Sequence, residues 1–376
     1  VRCGAIGLWL VVALGVQAEP GPPPERLLPF TPAGTNRIAV DLAPDESAHP
    51  LPLIVDTGAS YSVMTPGVAR RLGISVRAAK RSPYRRTTRL GRDLSFFIDA
   101  SASDTSARMP EEFGLLGGNF LARFVLQLDF DGRRAGFLDP LPDPMAREGE
   151  IELPLSIVSD RPHLEITVNG SPMRVLLDTG DPFSLSLMRS SAQKLGIESS
   201  PVGGLVVWGV LGPLRVELGE ARKVGIGPFE LEQVPVLVHA GSYNQGDASG
   251  AALGVDLLAL FDVRIDYPGS RLWLRARSTR TTLFGADYQR VRASGAFLER
   301  APEEDDAIYV RWILPDSPAA RLGLQPGDWL SPLVLEEQQL DLEGVHRRVE
   351  SGGALEVVRQ EQGSWVDMQL PASVSP

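Results

Sequence analysis

The sequence predicts a mainly β protein: two pseudo-symmetric copies of one β-rich lobe in a single chain, followed by a smaller β/α module. Three observations predict it. Gly 38 and Pro 31 in 376 residues call for many turns, which suits short strands better than a helical bundle. Two pairs of segments recur in the same order along the chain. After about Ser278 the pattern changes to one that neither copy contains. At this length two or three domains are expected, and a hydrophobic content of 43% can fill their cores.

The chain opens with "VRCGAIGLWLVVALGVQAEP", which holds one Arg, an apolar run from Ala5 to Val16, and a small-residue exit at Val16-Gln17-Ala18. This pattern predicts a signal peptide over 1–18, cleaved after Ala18, and hence a secreted or periplasmic protein. The run is shorter than the ~20 residues of a spanning helix, so no stable membrane span is expected after cleavage. Cys3, the one cysteine, would be removed with it, so disulfides and thiol catalysis are not expected. A net charge of −10 argues against nucleic acid as a main partner.

The first lobe is expected over 19–148 and the second over 149–280. "LPLIVDTGASYSVMTPGVARRLGI" (51–74) is echoed by "MRVLLDTGDPFSLSLMRSSAQKLGI" (173–197). Each places an apolar strand before Asp-Thr-Gly, then a Ser-bearing strand, a short helix and Leu-Gly-Ile. "LLGGNFLARFVLQLDFDG" (115–132) matches "ALGVDLLALFDVRIDYPG" (252–269) without a gap, pairing Asn119 with Asp256 and Asp129 with Asp266. Alternation at 37–43 and 163–170 predicts a strand that leads into each Asp strand through a turn. Helices are expected at Pro66–Leu72 and Arg189–Leu195, closed by Gly73 and Gly196. The lobes should meet in the Pro-rich "LDPLPDPMAREGE" (138–150).

A carboxylate at the end of a buried strand is costly unless something shares or stabilises its charge. Two of them at equivalent positions, Asp56 and Asp178, can meet across the pseudo-symmetry axis and hold one proton between them. One then serves as general base on a water, the other as general acid toward a leaving amine. Thr57 and Thr179 can bond across the lobes. Gly58 and Gly180 permit close approach and aim their N–H groups at the carboxylates.

"IVDTGAS", "LLDTGDP", "LLGGN" and "ALGVD" together resemble the retropepsin-like aspartic proteases, over roughly residues 36 to 280. The resemblance implies β-barrel lobes, an aspartic endopeptidase acting on a peptide or protein substrate, and an Asp56/Asp178 dyad in cis, for which a monomer suffices. It also implies that the "LLGGN" and "ALGVD" segments form helices packed beneath the catalytic turns, and it calls for no cofactor and no metal. The position after Asp-Thr-Gly is Ala59 in the first lobe, as the family prefers, but Asp181 in the second. Both are candidate substrate contacts, and Asp181 could instead raise the dyad's proton affinity or signal a relaxed site. A flap hairpin is expected at 202–218, mobile through its glycines, with Trp208 at its tip against substrate or over a sheet edge. Its first-lobe counterpart is expected around 86–100. The basic cluster Arg77, Lys80, Arg81, Arg85, Arg86, Arg89 and Arg92 reads as a solvated loop, or as a steering patch for acidic substrates.

Over 285–376, "SPAARLGLQPGD" and the strands and helix around it resemble a PDZ domain of the kind attached to bacterial envelope proteases. The resemblance implies a partner peptide bound by its C-terminus as an added strand, its carboxylate held by a loop near 292–299. The usual Gly-apolar-Gly-apolar form of that loop is absent. His346, near the start of the expected helix 340–351, reads as a solvated position, with a ligand-facing one the alternative.

Other hydrolase classes lack their residues. No Gly-x-Ser-x-Gly occurs, the histidines at 49, 163, 239 and 346 show no triad context, and no His pair has ligand spacing. The rival from a different class is a catalytically inactive peptide-binding or scaffolding protein that retains the protease fold.

Overall fold

A computed structural model of the chain describes residues 27–33, 37–42, 50–71, 84–87, 93–98, 114–140, 145–209, 212–240, 250–278, 293–300, 308–313, 317–325, 327–330, 334–335, 338–339, 342–361 and 364–370. The expected signal peptide with Cys3, Gly73, residues 141–144 of the Pro-rich stretch, and Arg77, Lys80, Arg81, Arg89 and Arg92 lie outside them.

The described chain is mainly β, with short helices. In the first copy the strand Leu51–Val55 runs antiparallel to Arg37–Leu42 and parallel to Gly114–Leu116. The Ser-bearing strand Ser62–Met64 lies on the far side of Gly114–Leu116 and then pairs in parallel with Asp93–Ile98. The second copy repeats this order. Ser171–Asp178 pairs with Arg161–Val168 and, in parallel, with Ala251–Gly254; Leu185–Met188 follows and pairs in parallel with Phe229–His239. A parallel pair needs a long crossover. The segment between each Asp-Thr-Gly and its later Leu-Gly provides it.

The hairpin expected at 202–218 is present as the strands Ser199–Gly209 and Gly212–Ile226. Its first-copy counterpart differs from expectation. Asp93–Ile98 occupies the place of Phe229–His239, parallel to the Ser-bearing strand. The hairpin Tyr84–Thr87/Asp93–Ile98 therefore corresponds to Gly212–Ile226/Phe229–His239, one strand further along than the 202–218 hairpin. The sequence hid this because Gly212–Ile226, at 15 residues, is long enough to belong to both hairpins.

The ends of the two copies join. Val125–Asp129 pairs antiparallel with Phe261–Asp266, flanked by Arg134–Leu138 and Arg271–Ala276 and then by Leu27–Ala33 and Ile151–Pro154. Equivalent strands thus meet at the centre of one sheet. Beside it Glu150 accepts from Arg264 at 3.0 and 2.5 Å, and the guanidinium stacks 4.3 Å from the Trp273 ring centre. One hydrophobic core takes in residues of both copies, from Ile38 and Val55 to Leu177 and Leu274.

The C-terminal residues have a separate core, including Leu298, Val310, Leu330, Val349 and Val357. Their five strands run in the order Ala296–Arg300, Ile308–Ile313, Trp329–Leu330, Leu355–Glu361, Ser364–Leu370. The motif "SPAARLGLQPGD" explains itself locally. Ser317 caps the helix Pro318–Arg321 through the Ala320 N–H (3.2 Å), with proline in the first turn. Gly323 and Gly327 adopt φ of +81° and +97°. The buried carboxylate of Asp328 accepts from both Nε and Nη2 of Arg359, at 2.6 and 2.7 Å. The expected helix 340–351 is Leu342–Glu350. The loop expected near 292–299 is a strand from Ala296 onward. His346 is not solvated: it is 5% exposed, and its Nδ1 lies 2.8 Å from the Ser294 hydroxyl.

Candidate active site

Each Asp-Thr-Gly leaves its strand at the same point. The Asp56 N–H donates to the Leu116 carbonyl at 2.9 Å, and Asp178 stands opposite Gly254 in the register. The turns are then drawn around their own carboxylates. Asp56 Oδ1 accepts the N–H groups of Gly58 and Ala59, both at 2.9 Å. Asp178 Oδ1 accepts those of Gly180 at 2.9 Å and Asp181 at 3.1 Å. The sequence called for this use of the glycine N–H groups.

The threonines lock one turn to the other. The Thr57 N–H donates to Thr179 Oγ1 (3.1 Å), and the Thr179 N–H donates to Thr57 Oγ1 (3.0 Å). Each hydroxyl then donates at 2.6 Å to a backbone carbonyl of the other copy, Thr57 to Leu177 and Thr179 to Val55. All four bonds span 120 residues or more and are buried.

This lock brings the two carboxylates together. A Cβ on Gly58 would collide with the Asp178 carboxylate, and one on Gly180 with that of Asp56. Only glycine fits at either place. Asp178 is 6% exposed. Burial, then the charges of Asp56 and Asp181, push its carboxyl well above the ordinary carboxylate range, against the Gly180 N–H, which lowers it; a hydrogen bond with Asp56 adds to the rise.

Beneath each turn sits the Leu-Gly helix, Gly118–Leu121 in the first copy and Val255–Leu258 in the second. Gly118 N–H donates to the Ala59 carbonyl (2.7 Å) and Val255 N–H to that of Asp181 (2.8 Å). Sequence reasoning missed the serines that complete this support. Ser62 donates through its hydroxyl and its N–H to Asn119 Oδ1, at 2.8 and 2.7 Å. Ser184 Oγ donates to Asp256 Oδ2 at 2.5 Å. The signal was available, since both serines stand six residues after their aspartate (62 − 56 = 184 − 178 = 6).

Among the proposed substrate contacts, Ala59 is half-buried in its turn. Asp181 is fully buried, accepting from the Phe183 N–H (3.0 Å) and Ser186 Oγ (2.6 Å). Trp208 lies on the strand Ser199–Gly209, and its side chain falls outside the described residues. Among the described residues no group of three or more His, Cys, Asp or Glu side chains is placed to hold a metal ion, and no helix is long and apolar enough to cross a membrane.

Comparison with known proteins agrees with this geometry at one level. Residues 164–257, which include Asp178-Thr179-Gly180, match the model of a family described as aspartyl protease. No curated protein matches the chain. The fold is similar to solved structures that include a retropepsin-like aspartic protease from Rickettsia conorii (22% identity, 36% of this chain and 96% of that one, TM-score 0.25). Others are Basic 7S globulin from soybean (15%, 69% and 96%, 0.39) and EIAV protease complexed with the inhibitor HBY-793 (22%, 26% and 85%, 0.22).

Two outcomes follow from the lock and from the buried carboxyl. Thr57→Val strips the Thr179 N–H and the Leu177 carbonyl of their buried partner, at about 1–3 kcal/mol each. A urea titration should show a loss of roughly 2–6 kcal/mol, and an unchanged midpoint contradicts the lock. Asp178 has its folded-state proton affinity raised above the unfolded value. The stability this adds is fully present below the unfolded carboxylate range, declines above it, and is gone once pH has passed the raised value. Asp178→Asn, neutral at every pH, should therefore gain on wild type in melting temperature as pH rises; a difference independent of pH contradicts the assignment.

Proposed function

We propose that this protein is an aspartic endopeptidase whose dyad is Asp56 and Asp178. The observation that carries this reading is the meeting of two strand-end carboxylates from repeated turns, each occupying the space beside the glycine of the opposite turn, with the proton of one held above its ordinary range. The aspartyl protease match over residues 164–257 supports it.

The chemistry follows from holding one proton between two carboxyls. The ionised carboxylate takes a proton from a water as its oxygen bonds to the peptide carbonyl carbon, and the protonated partner gives its proton to the carbonyl oxygen. The resulting gem-diol collapses as the carboxyl now protonated gives its proton to the amide nitrogen, the ionised carboxylate takes a proton from one diol hydroxyl and the C–N bond breaks, which releases an acid and an amine and restores the single shared proton. Thr57, Gly58, Thr179 and Gly180 hold the geometry and need no part in the proton transfers. With the leader expected at 1–18, the substrates are peptides or proteins of the periplasm or the exterior.

The C-terminal residues are read as a PDZ-like docking unit that recruits or regulates peptide substrate. Its first strand, Ala296–Arg300, is the edge of the described sheet, and the helix Leu342–Glu350 packs beside it. A strand edge next to a helix suits addition of an extended peptide. The strand Ser199–Gly209 of the long hairpin is in contact with Ile308–Ile313 of this sheet. That contact supports communication between a docked peptide and the hairpin.

In a peptide-library assay from acid to neutral pH, Asp56→Asn and Asp178→Asn should each lower kcat/KM at least about a hundredfold. A wild-type protein that cleaves nothing either substitution abolishes would instead be the inactive peptide-binding protein. A peptide with a free C-terminal carboxylate should alter the cleavage rate in trans while its amidated form should not; equal effects of the two remove the docking reading.

A further inference from the structure

The two turns are not equivalent, and the difference is paired. Where the first copy has Ala59 and Val63, which stands opposite Leu115, the second has Asp181 and Ser186, which stands opposite Ala252, the counterpart of Leu115. An apolar pair in one half is replaced by a hydrogen-bonded pair in the other. Asp181 has no exposed surface; Ser186 Oγ donates to its Oδ2 at 2.6 Å and the Phe183 N–H to its Oδ1 at 3.0 Å. These two partners are donors, which favour the ionised form. This places a buried, hydrogen-bonded carboxylate three residues from Asp178, on the turn whose own N–H groups hold Asp178 Oδ1, and its charge is among those that raise the Asp178 carboxyl. Burial and these bonds also remove Asp181 from contact with a substrate amine.

We propose that Asp181, held by Ser186, is a positioning residue that breaks the symmetry of the dyad and fixes the shared proton on Asp178, leaving Asp56 as the ionised base. This assignment rests on the aspartic endopeptidase reading and gives the two carboxyls their separate roles. A buried anion repels further negative charge far more strongly than it would in water, and the carboxyl that meets this repulsion keeps the proton. Other ionisable groups surround the dyad. Asp56 faces it from the opposite turn, Asp256 lies on the helix beneath and is bonded to Ser184, and Tyr267 follows the strand Phe261–Asp266. The Tyr267 hydroxyl is itself pushed well up by burial and then by the charges of Asp56, Asp178 and Asp160, so it stays neutral. On the neighbouring strand Arg161–Val168, His163 stands opposite Leu176 in register with its Nδ1 3.1 Å from the Arg161 carbonyl oxygen, and Arg161 carries the one fixed positive charge on that strand.

The test compares wild type with Asp181→Asn, which keeps the shape and removes the charge, and with Asp181→Ala/Ser186→Val, which installs the pair of the first copy. The double variant guards against a folding failure of the single one. Two readouts apply: the pH dependence of kcat/KM, and the carbon-detected NMR titration of the Asp56 and Asp178 side-chain carboxyls. In wild type the Asp178 carboxyl should be the one still protonated in the middle of the range. In both variants its titration should move to lower pH and approach that of Asp56, with a loss of roughly fivefold or more in kcat/KM on the alkaline limb. Folded variants whose Asp178 titration and alkaline limb match wild type overturn the proposal. If wild type cleaves no peptide, the endopeptidase reading fails by itself, and the NMR titration still decides whether Asp181 places the proton.

Discussion

The reciprocal exchange between Thr57 and Thr179 is the constraint on which the rest depends. Each residue donates its N–H to the other's hydroxyl, and each hydroxyl passes its own proton to a carbonyl of the opposite strand. The arrangement satisfies buried backbone groups at strand ends, where an orphaned donor or acceptor would be expensive. It also fixes the separation of the turns, and with it the distance between Asp56 and Asp178. The central sheet, where Val125–Asp129 meets Phe261–Asp266, and the shared core provide the rigid frame against which the lock closes.

Close approach of two carboxylates opposes folding whenever both are ionised. The fold accommodates it in two ways. Backbone N–H groups from each turn address Oδ1 of their own aspartate, which stabilises one charge. Burial and the neighbouring anions hold the proton of Asp178, which removes the other. Glycine at 58 and 180 is required by the same closeness, because any side chain there would occupy the space of the opposite carboxylate. The Ser62–Asn119 and Ser184–Asp256 bonds then hold the supporting helices under the turns. A buried polar network of this kind works only when its members are satisfied together.

Much of this was legible in the sequence because duplication doubles every signal. One Asp-Thr-Gly is a turn; two, each preceded by an apolar strand and followed by a matched Leu-Gly segment, define partners 122 residues apart (178 − 56). The Thr and Gly roles followed from equivalence alone. Three features were not legible, for physical reasons. The hairpin correspondence depended on pairing partners of Asp93–Ile98, which local alternation does not specify. His346 was read as solvated because helical position gives no hint of a buried partner 52 residues earlier, Ser294. The meaning of Asp181 required knowing that Ser186, two residues past the shared Ser184, turns its hydroxyl back onto the carboxylate.

In the proposed endopeptidase, Asp56 and Asp178 hold one proton between them and work only in that state. The most direct measurement is the kcat/KM of the wild-type protein on a cleavable peptide across the full range of stability in pH. A bell-shaped profile is predicted, falling on the acid side as the second carboxyl gains a proton and on the alkaline side as the shared proton is lost. A profile that rises through one limb to an alkaline plateau would contradict it.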